Sequence, residues 1–171
     1  MHAKPLFTIG YEGANVDDFL ATLAAYRVAQ VIDIREVPLS RKRGFSKSAL
    51  SDALAARDIA YVHIKSLGDP KPGREAARRG EFAVFRKIYR KHLNGPDAQA
   101  ALDVAVRLAG EMASCLLCFE RIHAHCHRTI VAQAVREKSE FTVVHLEVRK
   151  DAVLDCNESI TSRSDLQLAI R

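Results

Sequence analysis

Ser114-Cys-Leu-Leu-Cys-Phe-Glu120, continued by Arg-Ile-His-Ala-His-Cys126-His127-Arg128, packs a strand, a loop and the first turn of a helix into one short stretch. The apolar run ends on a carboxylate, crosses a loop of roughly five residues and delivers Cys, His and Arg where a helical pattern begins. A strand that feeds a helix in this way is half of a βαβ unit. Repeated units put the carboxyl ends of all strands on one edge of a parallel sheet. Helix N-termini on that edge supply unpaired N–H groups and positive potential, so the stretch locates a site before it names a reaction.

Working outward, the apolar period switches repeatedly between two and 3.6. Pro5 to Gly10 reads as a strand, and Asn15 caps a helix to about Arg27 with Phe19, Leu20 and Leu23 on one face. Gln30 to Ile34 and Ile59 to Ile64 read as further strands, separated by the loop Arg35 to Phe45 and by a helix that Ser46 caps and Leu50 and Leu54 anchor, ending near Arg57. Ser66 to Arg79 carries Gly and Pro and is too polar for core, so it reads as a functional loop or lid. Phe82 to Leu93 is the next helix, Gly95-Pro96 stops it, and Ala98 to about Met112 forms another. Ser114 to Phe119, Cys126 to Lys138 and Phe141 to Leu146 complete a strand, a helix and a strand. The pattern predicts a three-layer αβα domain over residues 1–149, Rossmann-like, with a mainly parallel sheet of about five strands in one of the two common doubly wound orders. Residues 150–171 are polar and weakly periodic, which predicts a loosely packed appendage with a short helix at Asp165 to Ile170.

Among 171 residues, 48% are hydrophobic and 27% charged, which is ordinary composition for one globular domain. No segment is long and apolar enough to span a bilayer, and the N-terminus runs into a strand without room for a signal peptide, so the expected location is the cytoplasm. The four cysteines, at 115, 118, 126 and 156, read as reduced thiols rather than a disulfide framework. The net charge of +5 is concentrated in Arg41-Lys42-Arg43 with Lys47, and in a longer run from Lys71 through Lys91. Such clustering suits a protein that meets phosphates, although the second run reads more readily as a solvated helix face. No RNA-binding aromatic signature, zinc-finger spacing or helix-turn-helix pattern accompanies it.

Polar residues gather where the strands end. Tyr11 follows the first strand, Asp33 and Arg35 the second, His63 the third and Glu120 the fourth, with Ser40 and Arg41 joining from a loop. In this reading Tyr11, Asp33, Arg35, Ser40, Arg41, His63 and Arg128 bind an anionic ligand, and Glu120, Cys126 and His127 are the candidate reactive groups. Arg35 and Arg128 would clamp the anion, while Glu120 or His127 would act as general acid or base. Cys126 at a helix start beside Arg128 would have a lowered thiol pKa. The competing reading is structural: Asp33 paired with Arg35, Cys126 simply packed, and Arg128 paired with Glu120 or Asp33. His123, His125, Cys126 and His127 are all competent ligands for a divalent metal, but adjacent residues rarely share one ion, so no cofactor is predicted and a divalent metal stays the minor alternative. Gly10-Tyr-Glu-Gly13 has too few glycines for a dinucleotide fingerprint and lacks the P-loop lysine. Cys115 and Arg121 match a tyrosine-phosphatase spacing without the glycine-rich cradle that chemistry needs. Phe45, beside the basic loop, could stack on a base.

Thr8-Ile-Gly-Tyr-Glu-Gly13, Val31-Ile-Asp33-Ile-Arg35, Pro38-Leu-Ser40-Arg41, Gly44-Phe-Ser46-Lys47, Tyr61-Val-His63, Leu67-Gly68-Asp69-Pro70, and Cys118-Phe-Glu120 followed by Cys126-His-Arg128 form an ordered set of blocks. In that set the chain resembles the domain of unknown function 488 family over roughly residues 6–147. The resemblance implies a small α/β protein whose site is built from these blocks, and it implies no reaction. One departure stands out: the family usually has an acidic residue followed by proline between the positions of Glu120 and Cys126, where this chain has His123-Ala-His125. The function expected is an enzyme-like pocket, of unassigned reaction, for a phosphorylated or nucleotide-related anion. The alternative is a noncatalytic nucleic-acid-binding module that uses the basic loop and helix surface.

Overall fold

A computed structural model describes residues 3–149. The chain runs through β1 (Lys4–Gly10), α1 (Val16–Ala25), β2 (Gln30–Asp33), α2 (Lys47–Ala55), β3 (Ala60–His63), α3 (Lys71–Arg78), α4 (Phe82–Leu93), α5 (Pro96–Glu111), β4 (Ser114–Cys118), α6 (His127–Lys138) and β5 (Phe141–Leu146). Single 3-10 turns at Lys65–Leu67 and His123–His125 punctuate the loops. The expected appendage at 150–171, with its short helix, lies outside the described residues.

All the strand pairings are parallel, and helices cover both faces of the sheet, giving the three-layer α/β architecture. The order is β3-β2-β4-β1-β5, which corrects the expectation of a common doubly wound arrangement: β4 is inserted between β1 and β2. The physical reason is burial. All five residues of β4 are buried, whereas β3 is at least partly exposed throughout and β5 is partly exposed in its middle, so β4 occupies the centre and the other two take the edges.

Alternation along the strands sorts the core into two halves. Val31, Cys115 and Leu117 pack with Phe19, Leu23, Leu50 and Leu54 beneath α1 and α2. Ile32, Ile34 and Leu116 pack with Phe85, Tyr89, Leu102 and Val131 beneath α3 to α6. The same alternation holds to the strand ends, sending Asp33 toward the first half and Cys118 toward the second.

Local signals explain most element boundaries. The Asn15 side chain accepts a hydrogen bond from the Asp18 N–H at 2.7 Å and caps α1. Pro96, which ends α4, also opens α5, because its missing N–H is unneeded in a first helical turn. Ser46 precedes α2 without a side-chain capping bond; its hydroxyl donates instead to the Ser40 carbonyl at 3.0 Å. The stretch read as a loop from Ser66 to Arg79 contains α3, a second correction. Pro72 in its first turn and Ala76 buried against the core make a largely polar sequence helical through packing.

Candidate functional site

Two polar clusters form at the carboxyl edge, one above each half of the core. In the first, Asp33 is fully buried at the end of β2. Its carboxylate accepts from the Arg35 backbone N–H at 3.0 Å, from Arg35 Nε at 2.9 and 3.0 Å, from Arg35 Nη2 at 2.6 Å and from the Tyr61 hydroxyl at 2.6 Å. Arg35 Nη1 donates to the Tyr11 hydroxyl at 3.0 Å and to the Phe45 carbonyl at 2.8 Å. His63 Nε2 donates to the Arg35 carbonyl at 2.7 Å. Burial works against the Arg35 charge, but Asp33 outweighs it and raises the pKa; burial and Asp33 together push the Tyr61 hydroxyl up. The network is closed: each charge has its partner inside it.

The second cluster joins β4 to α6. Cys118 ends β4, Glu120 follows in the loop, Cys126 is the N-cap of α6 and His127 is its first residue. Cys118 Sγ and Cys126 Sγ lie 3.0 and 3.1 Å from Glu120 Oε2, and 3.6 and 3.9 Å from His127 Nδ1. His127 Nε2 donates to the Ile34 carbonyl at 2.9 Å, which fixes the ring and turns Nδ1 toward the sulfurs. Tyr89 packs against that ring, with centroids 5.0 Å apart.

Electrostatics here differ from the sequence expectation. Burial pushes the Cys126 thiol well above its ordinary range and raises Cys118 as well, which overturns the expected lowering of the Cys126 pKa. The helix N-terminus contributes only a long contact, Arg128 N–H to Cys126 Sγ at 3.5 Å, and the neighbouring Glu120 carboxylate disfavours a thiolate. Burial also opposes charge on His127 and Glu120. It is outweighed in both: Cys126 and Glu120 raise the imidazole to about 9, and His127 with the two thiols holds Glu120 below its ordinary value.

Arg128 is 1% exposed and serves the loop rather than the solvent. Its guanidinium donates to the Glu120 carbonyl and, at 2.9 Å, to the Arg121 carbonyl. Gly10 permits the same approach from β1, since a Cβ there would overlap the Glu120 backbone carbonyl. These two residues set where Glu120 stands.

Between the clusters a cavity of about 1000 Å³ opens, with Tyr11, Arg35, Cys118, Glu120, His127 and Asp69 among its lining groups. Ser40, Arg41, Lys42, Arg74 and Arg78 line it from the basic loop and α3. Arg74 is engaged by Glu36 and by the Asp69 carbonyl, while Arg41, Lys42 and Arg78 have no side-chain partner among the described residues. Asp69 is buried, its Oδ1 has no hydrogen-bond partner, and burial lifts its pKa to about 7.

The structure thus brings Glu120, Cys126 and His127 together, and separately joins Tyr11, Asp33, Arg35 and His63. Arg35 and Arg128, expected as an anion clamp, donate to Asp33, Tyr11 and the Phe45 carbonyl and to the Glu120 and Arg121 carbonyls, while Arg128 Nε is buried without a partner among the described residues. Arg41 and Ser40 line the cavity, and Cys126 lies behind its wall. His123 and His125 are outside the cluster, stacked on His145 and Phe82 with centroids 3.8 and 4.0 Å apart. Phe45 is inside the core, stacked on Tyr11 at 4.3 Å, so it is not a base platform. Sequence reasoning passed over Cys118 and Asp69 as site residues, although both stand in the quoted blocks; Cys118 lies two residues before Glu120, the spacing that returns a strand to the same face.

These features define an α/β protein with a parallel sheet and a polar cavity at its carboxyl edge. A family model described as "Domain of unknown function DUF488" matches residues 15–135, and the chain belongs to that family. The Thr8–Gly13 block precedes the matched region. No curated protein and no solved structure matches the chain. Among the described residues no helix is long and apolar enough to cross a membrane.

Proposed function

We propose that the cavity binds a phosphorylated or nucleotide-related anion, with the phosphate held by Arg41, Lys42 and Arg78 and the reacting end of the ligand directed at the floor formed by Cys118, Glu120 and His127, with Cys126 behind them. The observation that carries this reading is the arrangement of charge. Three cations without side-chain partners among the described residues line the same cavity whose floor gathers thiol, carboxylate and imidazole groups. Arg35 and Arg128 act as positioning residues, one shaping the wall and the other fixing the Glu120 loop. Burial, a raised pKa and a place behind the cavity wall all argue against Cys126 as a free nucleophile.

The test is a thermal-shift comparison of wild type with the double variant Arg41→Ala, Lys42→Ala against nucleotides, sugar phosphates, inorganic phosphate and short DNA and RNA at two salt concentrations. A bound small anion at about a hundred times its Kd adds roughly 2.7 kcal/mol, a shift of several degrees in a domain of this size. The expected result is a salt-tolerant shift with one small anion that the double variant loses. Shifts only with nucleic acid, collapsing steeply with salt, would replace this reading with the nucleic-acid-binding module.

A further inference from the structure

The geometry points to a metal centre at the floor of the cavity, in which Cys118 Sγ, Glu120, Cys126 Sγ and His127 Nδ1 together bind one borderline-soft divalent transition ion of the zinc class. The inference goes beyond the anion reading and is read out without any ligand for the cavity.

The four donor atoms all lie within 4.8 Å of one another. A tetrahedral ion with metal–sulfur bonds of about 2.3 Å and metal–nitrogen or metal–oxygen bonds of about 2.0–2.1 Å separates a sulfur from a nitrogen or oxygen donor by roughly 3.5–3.6 Å. The sulfur-to-Nδ1 separations of 3.6 and 3.9 Å already approximate those edges. The sulfur-to-Oε2 separations of 3.0 and 3.1 Å are about half an ångström short, a difference that a small rotation of one carboxylate accommodates. Two sulfurs, one imidazole nitrogen and one carboxylate oxygen form a donor set that suits zinc and disfavours magnesium or calcium, which prefer oxygen cages.

Support around the ligands argues the same way. A histidine that binds metal through one ring nitrogen commonly donates from the other to a carbonyl, and His127 Nε2 does so to Ile34 at 2.9 Å. Glu120 is held from behind, its carbonyl fixed by Arg128 and its backbone admitted by Gly10. The objection that adjacent residues rarely share an ion is met by the local backbone. Cys126 is an extended N-cap, at φ −122° and ψ 144°, while His127 begins the helix, so the two side chains leave in different directions and meet at the cluster. Cys118, Glu120 and His127 line the cavity, so the ion would sit at its floor.

The test uses the full chain, purified without a polyhistidine tag under reducing conditions. Metal content is measured by mass spectrometry, and cobalt(II) is titrated into chelator-treated, re-reduced protein. The expected result is one equivalent of tightly bound cobalt with the visible bands of tetrahedral coordination and a near-ultraviolet thiolate-to-cobalt charge-transfer band. Cys118→Ser and Cys126→Ser should each weaken binding by at least about tenfold to a hundredfold and halve the charge-transfer intensity. Cys115→Ser, a buried thiol of β4 outside the cluster, should leave both unchanged. If a serine variant fails to fold, Glu120→Gln provides the second reading: retained thiolate bands with altered visible bands are expected.

A weak octahedral spectrum without charge transfer in folded, reduced protein would overturn the proposal, as would equal loss in Cys115→Ser or uptake that ignores Cys118 and Cys126. Full cobalt uptake with no binding of nucleotides, sugar phosphates or inorganic phosphate would sink the anion reading and leave the metal centre standing. The converse pattern would do the opposite.

Discussion

The two buried clusters at the carboxyl edge are made from similar ingredients and solve different problems. Asp33 and Arg35 carry opposite charges, and each finds its counter-charge in the other, with Tyr11, Tyr61 and the Phe45 carbonyl taking further hydrogen bonds. Across the sheet, Cys118, Glu120, Cys126 and His127 point their donor atoms at a common centre. The first cluster is complete as it stands and gives the wall its shape. The second is ordered by groups outside it, Arg128, Gly10 and the Ile34 carbonyl, which is how a site is held in readiness for something else.

The largest effect expected from breaking this contrast is at Arg35. Arg35→Ala leaves the Asp33 carboxylate buried without its cation, a loss of about 3–5 kcal/mol, read as a lower urea midpoint or failure to fold. A loss below about 1 kcal/mol would show that Asp33 does not depend on Arg35 as its counter-charge. Gly10→Ala comes next: forcing a Cβ against the Glu120 carbonyl should cost about 1–3 kcal/mol by denaturant unfolding and also disturb the cobalt spectrum. Loss of stability with an unchanged spectrum would separate Gly10 from the second cluster.

A pH series sharpens the comparison further. Asp69 faces the second cluster with a pKa lifted by burial from 3.8 to about 7, so between those values the folded protein holds a proton that the unfolded chain has released. Its contribution to stability is therefore fully present below about pH 4 and is lost as the pH rises to about 7. Asp69→Asn, which cannot ionise, should gain on wild type across that window and hold a constant difference above it. Parallel stability profiles from pH 4 to 7 would refute the assignment. The smallest effect belongs to the cavity rim. Arg41→Ala should change stability by no more than about 0.5 kcal/mol while weakening anion binding, because its side chain has no partner to lose.

Much of the fold was legible because strands and helices differ in apolar period. β4 and α6 were readable from Cys-Leu-Leu-Cys and from the turn at Cys126, and Asn15 announced α1. The order of the strands was not, since periodicity reports which face of a strand is buried and says nothing about its neighbours. α3 was missed because its helix rests on a few buried contacts, Ala76 among them, in a sequence otherwise polar.

Of the candidate site, the residue types and their blocks stood in the sequence, as did their arrival at strand ends. Which of them meet did not. Asp33 and Cys118 end strands that both feed the same edge, yet alternation sends one toward α1 and α2 and the other toward α6, and only packing reveals the consequence. By itself the sequence determined a parallel α/β sheet with its polar residues at one edge, because local propensity and period are properties of short segments. The tertiary structure alone decided that β4 lies at the centre, that Arg35 and Arg128 turn inward, and that two thiols, a carboxylate and an imidazole share one point. Those outcomes depend on contacts between residues far apart in the chain, where burial and hydrogen-bond satisfaction outweigh any local preference.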